Sequence, residues 1–384
     1  MSAAVGSSTD AEIGVVGLGS VGSMALWQAS RRSSSVLGFE AQTPAHPRSA
    51  VGGDSRLFRM TYRGTEPYYP ILARSRQLWA ELEAESEREI LVRCGGLSIG
   101  ERGGTYIPAL LESIAHTGAP YRILDQPEMT RLYPQHDLAA DEVAILDEHA
   151  GFLKTDSAVL AALERARDHG AGVLTDTRIV SVRETDDHVE ISDGGRTWTV
   201  ARLIVTGGAW AASLLPEALQ ENVYPTRILL TWFQARRPED FTPEAFPVFI
   251  RISHGTSLYG APSIDGVTVK ASLDGRAQPA EDPSDLLRTL TAEEMSEVRG
   301  TVASYLPGLI PYVVRADTYP DLYTRDGAPL LGFAPGSKRI VLATGFSGIG
   351  FKMSSGCGEI AASLAADPET ATAPAFTDPA RFQR

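Results

Sequence analysis

The segment "IGVVGLGSVGSMALWQASRR", which begins at Ile13, places three glycines between a short apolar run and a helical pattern. Gly17, Gly19 and Gly22 have the spacing GxGxxG, which permits a tight turn and a close backbone approach to a phosphate at the helix N-terminus. The next strand, "SSVLGFEA", brings Glu40 to its end, where a carboxylate accepts hydrogen bonds from a ribose hydroxyl. This stretch predicts a βαβ unit that binds a dinucleotide. The alternative is a glycine turn that serves packing alone.

A second glycine-rich stretch lies close to the C-terminus. The segment "RIVLATGFSGIGFKMSSGCGEIAASLAA" predicts a strand, a turn containing Gly345, Gly348 and Gly350, and a helix. Because it repeats the order of the N-terminal segment, we expect it to complete the same nucleotide-binding sheet. The nucleotide-binding domain is therefore predicted to be discontinuous in sequence.

The middle of the chain has a different character. Residues 216 to 320 are richer in aromatic residues and proline and contain strand-like pieces such as "RILLTWFQA" and "GVTVKASL". We predict a mixed α/β fold in which a Rossmann-like domain is interleaved with a second domain built on a largely antiparallel sheet. The predicted boundaries are 1–85, 150–215 and 320–384 for the first domain, and 86–149 and 216–319 for the second.

Charge and cysteine content limit the classes of partner. The 384 residues carry a formal net charge of -13, so we expect no general binding to nucleic acid or to anionic membranes. No apolar run reaches the roughly 18 residues that a membrane helix needs. Two cysteines, Cys94 and Cys357, favour a reducing cytoplasm, and no histidine spacing indicates a metal site. We expect a cytoplasmic monomer or small homo-oligomer that binds a small molecule.

Four further segments carry a resemblance to a known family. They are "GGDSRLFRMTY" (52–62), "YGAPSIDGVTVK" (259–270), "YTRDGAPLLG" (323–332) and "ATGFSGIGFKMSSG" (343–356). In this order after a GxGxxG, they resemble the monomeric sarcosine oxidase and N-methyltryptophan oxidase group of the D-amino-acid-oxidase-like flavoproteins. The resemblance implies bound FAD and oxidation of a secondary or primary amine of an amino acid to an imine. It also implies O2 as electron acceptor and hydrogen peroxide as product.

The resemblance assigns roles to individual residues of this chain. Arg59 and Lys352 match a pair that binds the substrate carboxylate, Tyr259 matches a tyrosine of the substrate cavity, and Lys270 matches a lysine that activates oxygen. Arg56, with Ser55, matches a pair beside the flavin ring. The complete predicted cofactor set is Gly17, Gly19, Ser20, Val21, Gly22, Glu40, Ser55, Arg56, Val180, Gly207, Gly345, Gly348, Gly350, Phe351 and Lys352.

Physical chemistry supports these roles and also offers alternatives. Flavin and oxygen reduction build up negative charge, which fixed cations stabilise, and a guanidinium suits a planar carboxylate. Arg56 and Arg59 could instead share a solvated helix face. Lys270 could be an edge-strand lysine that blocks aggregation. Tyr259 could be a packed strand aromatic, and Lys352 could point to water.

The chain departs from the family pattern at four positions. Asp321 stands where members with covalent FAD carry cysteine, so we predict noncovalent FAD. Gly52, Asp274 and Ile349 stand where the sarcosine-type pattern has histidines, which predicts a different substrate. Asp274 could pair with a second cationic group of a diamino acid or with a cyclic amino acid. Its alternative is a surface-turn aspartate.

The sequence thus favours an FAD-dependent oxidase of an N-methyl, cyclic or related amino acid. One alternative is a flavin dehydrogenase that passes electrons to another acceptor. Another is a flavoprotein without catalysis whose partner is a protein. An NAD dehydrogenase is the least favoured, because the C-terminal glycine stretch would have no role in it.

Overall fold

The computed structural model describes residues 9–275 and 278–383. Residues 1–8 and 384, which belong to the predicted first domain, lie outside the described residues. The helices in this part of the chain are α1 (Ser20–Ser30), α2 (Tyr69–Ser86), α3 (Tyr106–Thr117), α4 (Gln126–Leu132), α5 (Thr155–Asp168), α6 (Glu217–Gln220), α7 (Ala292–Tyr305) and α8 (Gly350–Ala366).

The strands form three sheets. In chain order they are β1 (Ala11–Val16), β2 (Val36–Phe39), β3 (Ser55–Phe58), β4 (Leu91–Arg93), β5 (Gly96–Glu101), β6 (Arg122–Leu124), β7 (Glu142–Asp147), β8 (Gly151–Lys154), β9 (Gly172–Leu174), β10 (Ser181–Glu184), β11 (Val189–Ser192), β12 (Thr197–Val205), β13 (Val223–Ala235), β14 (Val248–Ser253), β15 (Thr256–Ala261), β16 (Thr268–Leu273), β17 (Leu309–Thr324), β18 (Leu330–Phe333) and β19 (Ile340–Thr344).

The first sheet contains the segments that were predicted to bind a nucleotide. Strands β9, β2, β1, β12 and β19 lie side by side and parallel, and β18 and the hairpin β10–β11 add antiparallel strands. Parallel strands are covered on both faces, and accordingly β1 and the second half of β12 are apolar and buried. The C-terminal strand β19 pairs with β12, which confirms that the C-terminal segment completes this sheet.

Helices α1 and α8 pack closely beneath this sheet. Helix α1 is apolar on nearly all sides and buried from Val21 to Ser30, as expected for a helix enclosed by protein. At Gly358 of α8, a Cβ would lie 2.7 Å from the backbone nitrogen of Ala25 in α1. Small residues therefore bring the two helices into direct backbone contact, which joins the N-terminal and C-terminal segments of the chain.

The second sheet has the order β17-β13-β16-β15-β14-β5-β7-β6. Its neighbouring strands are antiparallel except for the parallel pair β14 and β5. This confirms the predicted largely antiparallel sheet. Strand β17 runs across the boundary predicted at residue 320, and the exact domain limits stay a prediction.

A small third sheet, β3-β8-β4, carries part of the predicted site. Arg56 lies on the strand β3, so a helix face is not what relates it to Arg59. No helix among the described residues is long and apolar enough to cross a membrane.

Candidate active site

A deep cavity of about 870 Å³ opens where the parallel strands of the first sheet end. Gly17 follows β1, Glu40 follows β2, Gly207 follows β12 and Gly345 follows β19, and all four line the cavity. Ligands of open α/β sheets bind outside the carboxyl ends of the strands, and this volume is typical of a ligand site. Four distant parts of the sequence thus meet at one site.

The glycines of the N-terminal turn differ in their surroundings. At Gly17, φ is +87° and a Cβ would lie 2.7 Å from the carbonyl oxygen of Thr206. At Gly22, a Cβ would collide with the carbonyl oxygen of Gly17. At Gly19, a Cβ would meet only Val51, at 3.9 Å, and both residues line the cavity. The outer glycines therefore serve the turn itself, whereas Gly19 leaves space on the cavity side.

The Glu40 carboxylate is held in place by backbone amides. Its Oε2 accepts a hydrogen bond from Leu18 N at 2.8 Å, and its Oε1 accepts one from Gln42 N at 3.1 Å. The residue is buried but lines the cavity. The glycine turn at the start of α1, the space beside Gly19 and this fixed acceptor match the pyrophosphate and ribose of a dinucleotide such as FAD.

The C-terminal glycine loop forms the opposite wall. Gly348 has φ of +83°, and its N–H donates to Asp321 Oδ2 at 2.9 Å. Ser347 N donates to the carbonyl oxygen of Leu322 at 3.1 Å. Both bonds attach the loop to β17. The loop ends at Ile349, and Lys352 lies in the first turn of α8.

Lys270 is buried on the second sheet. It lies on β16, between β13 and β15, so it is not an edge lysine. Its ammonium donates to the carbonyl oxygens of Gly53 and Ser55, at 2.5 and 2.9 Å, and to Ser55 Oγ at 2.7 Å. Burial, and then the charge of Arg56, lower the pKa of Lys270 well below its ordinary value.

Arg56 lines the cavity next to this lysine. It donates to the carbonyl oxygens of Ala50 at 2.6 Å and Ser55 at 2.8 Å, and its Cζ lies 5.7 Å from the ring centroid of Tyr319. Tyr319 also fills the space beside Gly52, where a Cβ would lie 2.1 Å from its ring. A histidine at position 52 would therefore require another position for Tyr319.

Arg59 and Lys352 face one aromatic ring. Their charged ends lie 5.9 and 4.8 Å from the ring centroid of Tyr62. Arg59 is 8% exposed and donates to Ser98 Oγ at 3.2 Å. Burial, and then the charge of Arg59, lower the pKa of Lys352 to about 7. Within the described residues neither cation has a carboxylate partner, and a guanidinium beside an ammonium is an arrangement that suits the binding of a carboxylate.

Two predicted substrate residues flank this pair. Tyr259 is half-buried on β15 and donates from its hydroxyl to the carbonyl oxygen of Leu229 at 3.2 Å. Asp274 is exposed just after β16; its charge adds to the effect of burial in raising the pKa of Tyr259, and it partly opposes the lowering of the pKa of Lys352. Asp274 is therefore close enough to act electrostatically on the candidate carboxylate site.

The predicted residues divide between the cavity and its surroundings. The residues that line the cavity are Gly17, Gly19, Ser20, Val21, Glu40, Arg56, Val180, Gly207, Gly345, Gly348, Gly350 and Phe351. The predicted residues that do not line it are Gly22, Ser55, Arg59, Tyr259, Lys270, Asp274, Ile349 and Lys352. Roles for them stay predictions. Among the described residues, no cluster of His, Cys, Asp and Glu could hold a metal ion.

Sequence reasoning missed several residues of the site. Tyr62 was quoted within a motif but was given no role, and its hydroxyl has no hydrogen-bond partner among the described residues. Arg48, Arg178 and Arg288 line the cavity, and within the described ranges their side chains make no hydrogen bond or salt bridge. These arginines lie in segments without a motif, so only their position in space reveals them.

The chain is similar to known flavoenzymes over most of its length. A family model described as "FAD dependent oxidoreductase" matches residues 12–364. Monomeric sarcosine oxidase of Streptomyces avermitilis is 31% identical over 372 residues, which cover 96% of this chain and 97% of that protein. N-methyl-L-tryptophan oxidase of Escherichia coli is 29% identical over 375 residues, which cover 93% and 95%.

Solved structures show the same fold. NikD, an unusual amino acid oxidase essential for nikkomycin biosynthesis, superposes with a TM-score of 0.85 at 19% identity, covering 97% of this chain and 98% of that one. L-proline dehydrogenase from P. horikoshii has a TM-score of 0.81 at 20% identity, covering 98% of each chain.

The different surroundings of Gly19 and Gly22 predict that alanine substitutions at the two positions have different effects on cofactor binding and on stability. Gly19→Ala should fold normally but weaken cofactor binding at least about tenfold, because its methyl group takes space beside the helix N-terminus. Gly22→Ala should lower the melting temperature as well, since its Cβ would collide with the backbone of the turn. Thermal unfolding and bound flavin per protein distinguish the two. Equal melting temperatures for both variants would contradict this assignment.

Proposed function

Because the chain belongs to the FAD-dependent oxidoreductase family, and within it to the group of monomeric sarcosine oxidase and N-methyltryptophan oxidase, we propose that it oxidises the amine of an amino acid. The observation that carries the proposal is the pair of a buried Arg59 and a half-buried Lys352 at one aromatic ring, with Lys352 next to the cavity residue Phe351. FAD, when bound, supplies the chemistry by taking up a hydride from the substrate carbon and delivering the electrons to O2. The products are an imine, which hydrolyses in water, and hydrogen peroxide.

The chain holds the substrate by its carboxylate. The Arg59 guanidinium donates two parallel hydrogen bonds to a carboxylate, and the Lys352 ammonium adds a second positive charge. Both cations lie within 6 Å of the Tyr62 ring centroid, so the ring offsets part of the cost of holding two positive charges close together. With the carboxylate fixed, the α-carbon and its amine are oriented toward the cavity, which lowers the entropic part of the barrier.

Arg56 and Lys270 supply positive charge at the cofactor. Arg56 lines the cavity, and Lys270 is held 2.7 Å from Ser55 Oγ directly behind it. Among the described residues both side chains donate only to neutral acceptors, and because the pKa of Lys270 is lowered, negative charge that develops nearby during electron transfer favours its protonated form. This supports O2 as the acceptor and Lys270 as the residue that assists its reduction.

The substrate amine is proposed to be secondary or cyclic, with Asp274 selecting its side chain. A carboxylate near Lys352 and Tyr259 favours a substrate with a second cationic group or a cyclic amine. Ile349 packs against the core of the first domain, so it supplies no polar group to a substrate where a histidine could. An N-methyl amino acid with a small neutral side chain would leave Asp274 without a partner.

The cofactor is proposed to be bound noncovalently. Asp321 has no thiol, and the cysteines Cys94 and Cys357 are free; Cys357 is buried in α8. Acid precipitation should therefore leave the yellow colour in the supernatant. Colour that stays with the pellet would contradict noncovalent binding. The free cysteines also support our proposal that the enzyme works in the cytoplasm.

Anaerobic flavin reduction tests the function directly. We expect loss of the visible flavin absorbance with secondary and cyclic amino acids, and close to one H2O2 per substrate after air is admitted. Reduction without peroxide but with dye reduction would indicate a dehydrogenase. No reduction by any amino acid would reject the proposal.

Asp274→Asn should reduce the preference for substrates with a second cationic group. An unchanged substrate profile would reject the role of Asp274.

Lys352 predicts how carboxylate binding depends on pH. Its pKa of about 7 means that the cationic form is present below pH 7 and is lost as the pH rises. A carboxylate inhibitor without an amine should therefore bind about tenfold more weakly at pH 8.5 than at pH 6, as measured by flavin absorbance titration.

Two variants isolate this effect. Lys352→Gln should remove most of the pH dependence, whereas Lys338→Gln, at an exposed lysine, should leave it unchanged. Lys270 is present in all three proteins, so the difference between them reports on Lys352 alone. Retention of the full pH dependence in Lys352→Gln would contradict the assignment.

A further inference from the structure

Asp321 occupies an unusual position for an acid. Only two acidic residues, Glu40 and Asp321, line the described cavity, and Glu40 marks its ribose end. Asp321 lines the cavity together with Gly348, whose amide it binds, and Arg56, whose charge acts on it. Its Oδ1 accepts a hydrogen bond from Leu322 N at 2.8 Å, and its Oδ2 accepts one from Gly348 N at 2.9 Å.

These bonds give Asp321 a mechanical role. Gly348 is in the left-handed region, and the loop around it is attached to β17 through the Asp321 carboxylate and the bond from Ser347 N to the carbonyl oxygen of Leu322. A hydrogen bond from an amide to a charged carboxylate is stronger than one between neutral groups. The carboxylate thus helps to hold the wall of the cavity formed by the glycine loop.

The charge of Asp321 also acts in the cavity. Burial raises the pKa of its carboxyl, while the two amide N–H groups and the charge of Arg56 favour the ionised form. Arg56 is the cation that faces it, and Asp321 acts in turn on Arg56 and on the hydroxyl of Tyr323. An anion in a site of low dielectric opposes the addition of electrons nearby.

We infer that Asp321 is a positioning residue for the glycine loop and that its negative charge lowers the reduction potential of the bound flavin. The inference rests on the proposed binding of FAD in this cavity. Arg56 and Lys270 favour electrons on the cofactor, and Asp321 opposes them. A lower midpoint potential makes the reduced flavin a stronger reductant toward its electron acceptor.

The test is the midpoint potential of the bound flavin, measured by enzymatic reduction against a reference dye without any amine substrate. Asp321→Asn keeps the shape and a carbonyl acceptor but removes the charge. In this variant the equilibrium ratio of reduced to oxidised flavin should rise at least about tenfold. For a two-electron couple this is a positive shift of the midpoint potential by about 30 mV. Asp321→Glu keeps the charge, so its midpoint potential should lie close to that of the parent protein.

Loop anchoring has a separate measurement. Asp321→Ala removes both acceptors. Its dissociation constant for FAD should therefore be about tenfold higher than that of Asp321→Asn. Asp326→Asn is the matched control, because Asp326 is exposed, follows β17 and pairs with Arg381 away from the cavity. It should match the parent protein in both measurements.

Each result decides one part of the inference. An unchanged potential in Asp321→Asn, or an equal shift in Asp326→Asn, would overturn the electrostatic role. An FAD affinity of Asp321→Ala equal to that of Asp321→Asn would overturn the anchoring role. Failure of the proposed function is distinguishable, because the wild-type protein would then bind no FAD or bind FAD that no amino acid reduces.

Discussion

The site depends on the common direction of five neighbouring strands. Because β9, β2, β1, β12 and β19 are parallel, their carboxyl ends lie at one edge of the sheet. Each strand must then leave the sheet at that edge, where the backbone is not paired and a ligand can reach it. The cavity exists because the chain returns to this sheet from both ends of its sequence.

Buried positive charge is the second organising feature. The chain as a whole is acidic, yet four cations lie on or next to residues 53–62: Arg56 lines the cavity, Lys270 is bonded to the neighbouring Ser55, and Arg59 and Lys352 share the ring of Tyr62. Removing cations from water is costly unless other groups compensate. Backbone carbonyls compensate Lys270 and Arg56, and the aromatic ring of Tyr62 compensates the other two only in part. An anionic substrate offsets the remaining cost, which is why these charges favour a carboxylate.

Much of the fold was accessible from sequence because it follows from local patterns. The apolar run before Gly17 and the helical spacing after it are features of one short segment, and they form β1 and α1. The same holds for β19 and α8. The position of Lys352 was less accessible, since the stretch resembles a loop until Ile349 and becomes helical from Gly350. The residues around Gly350 can continue the turn or begin the helix with a change of only a few backbone dihedral angles. The pattern of side chains does not predict at which residue this change occurs.

The sequence by itself determined the nucleotide-binding turn, the mixed sheet architecture and the family. These depend on residues close together in the chain, where glycine spacing and apolar periodicity act directly on the backbone. Only the tertiary structure decided that Arg59 and Lys352 share the ring of Tyr62, that Asp321 holds Gly348, and that Arg288 reaches the cavity. Such contacts join segments far apart in sequence. Their energies depend on distance, burial and charge in the folded chain, and no local pattern encodes these quantities.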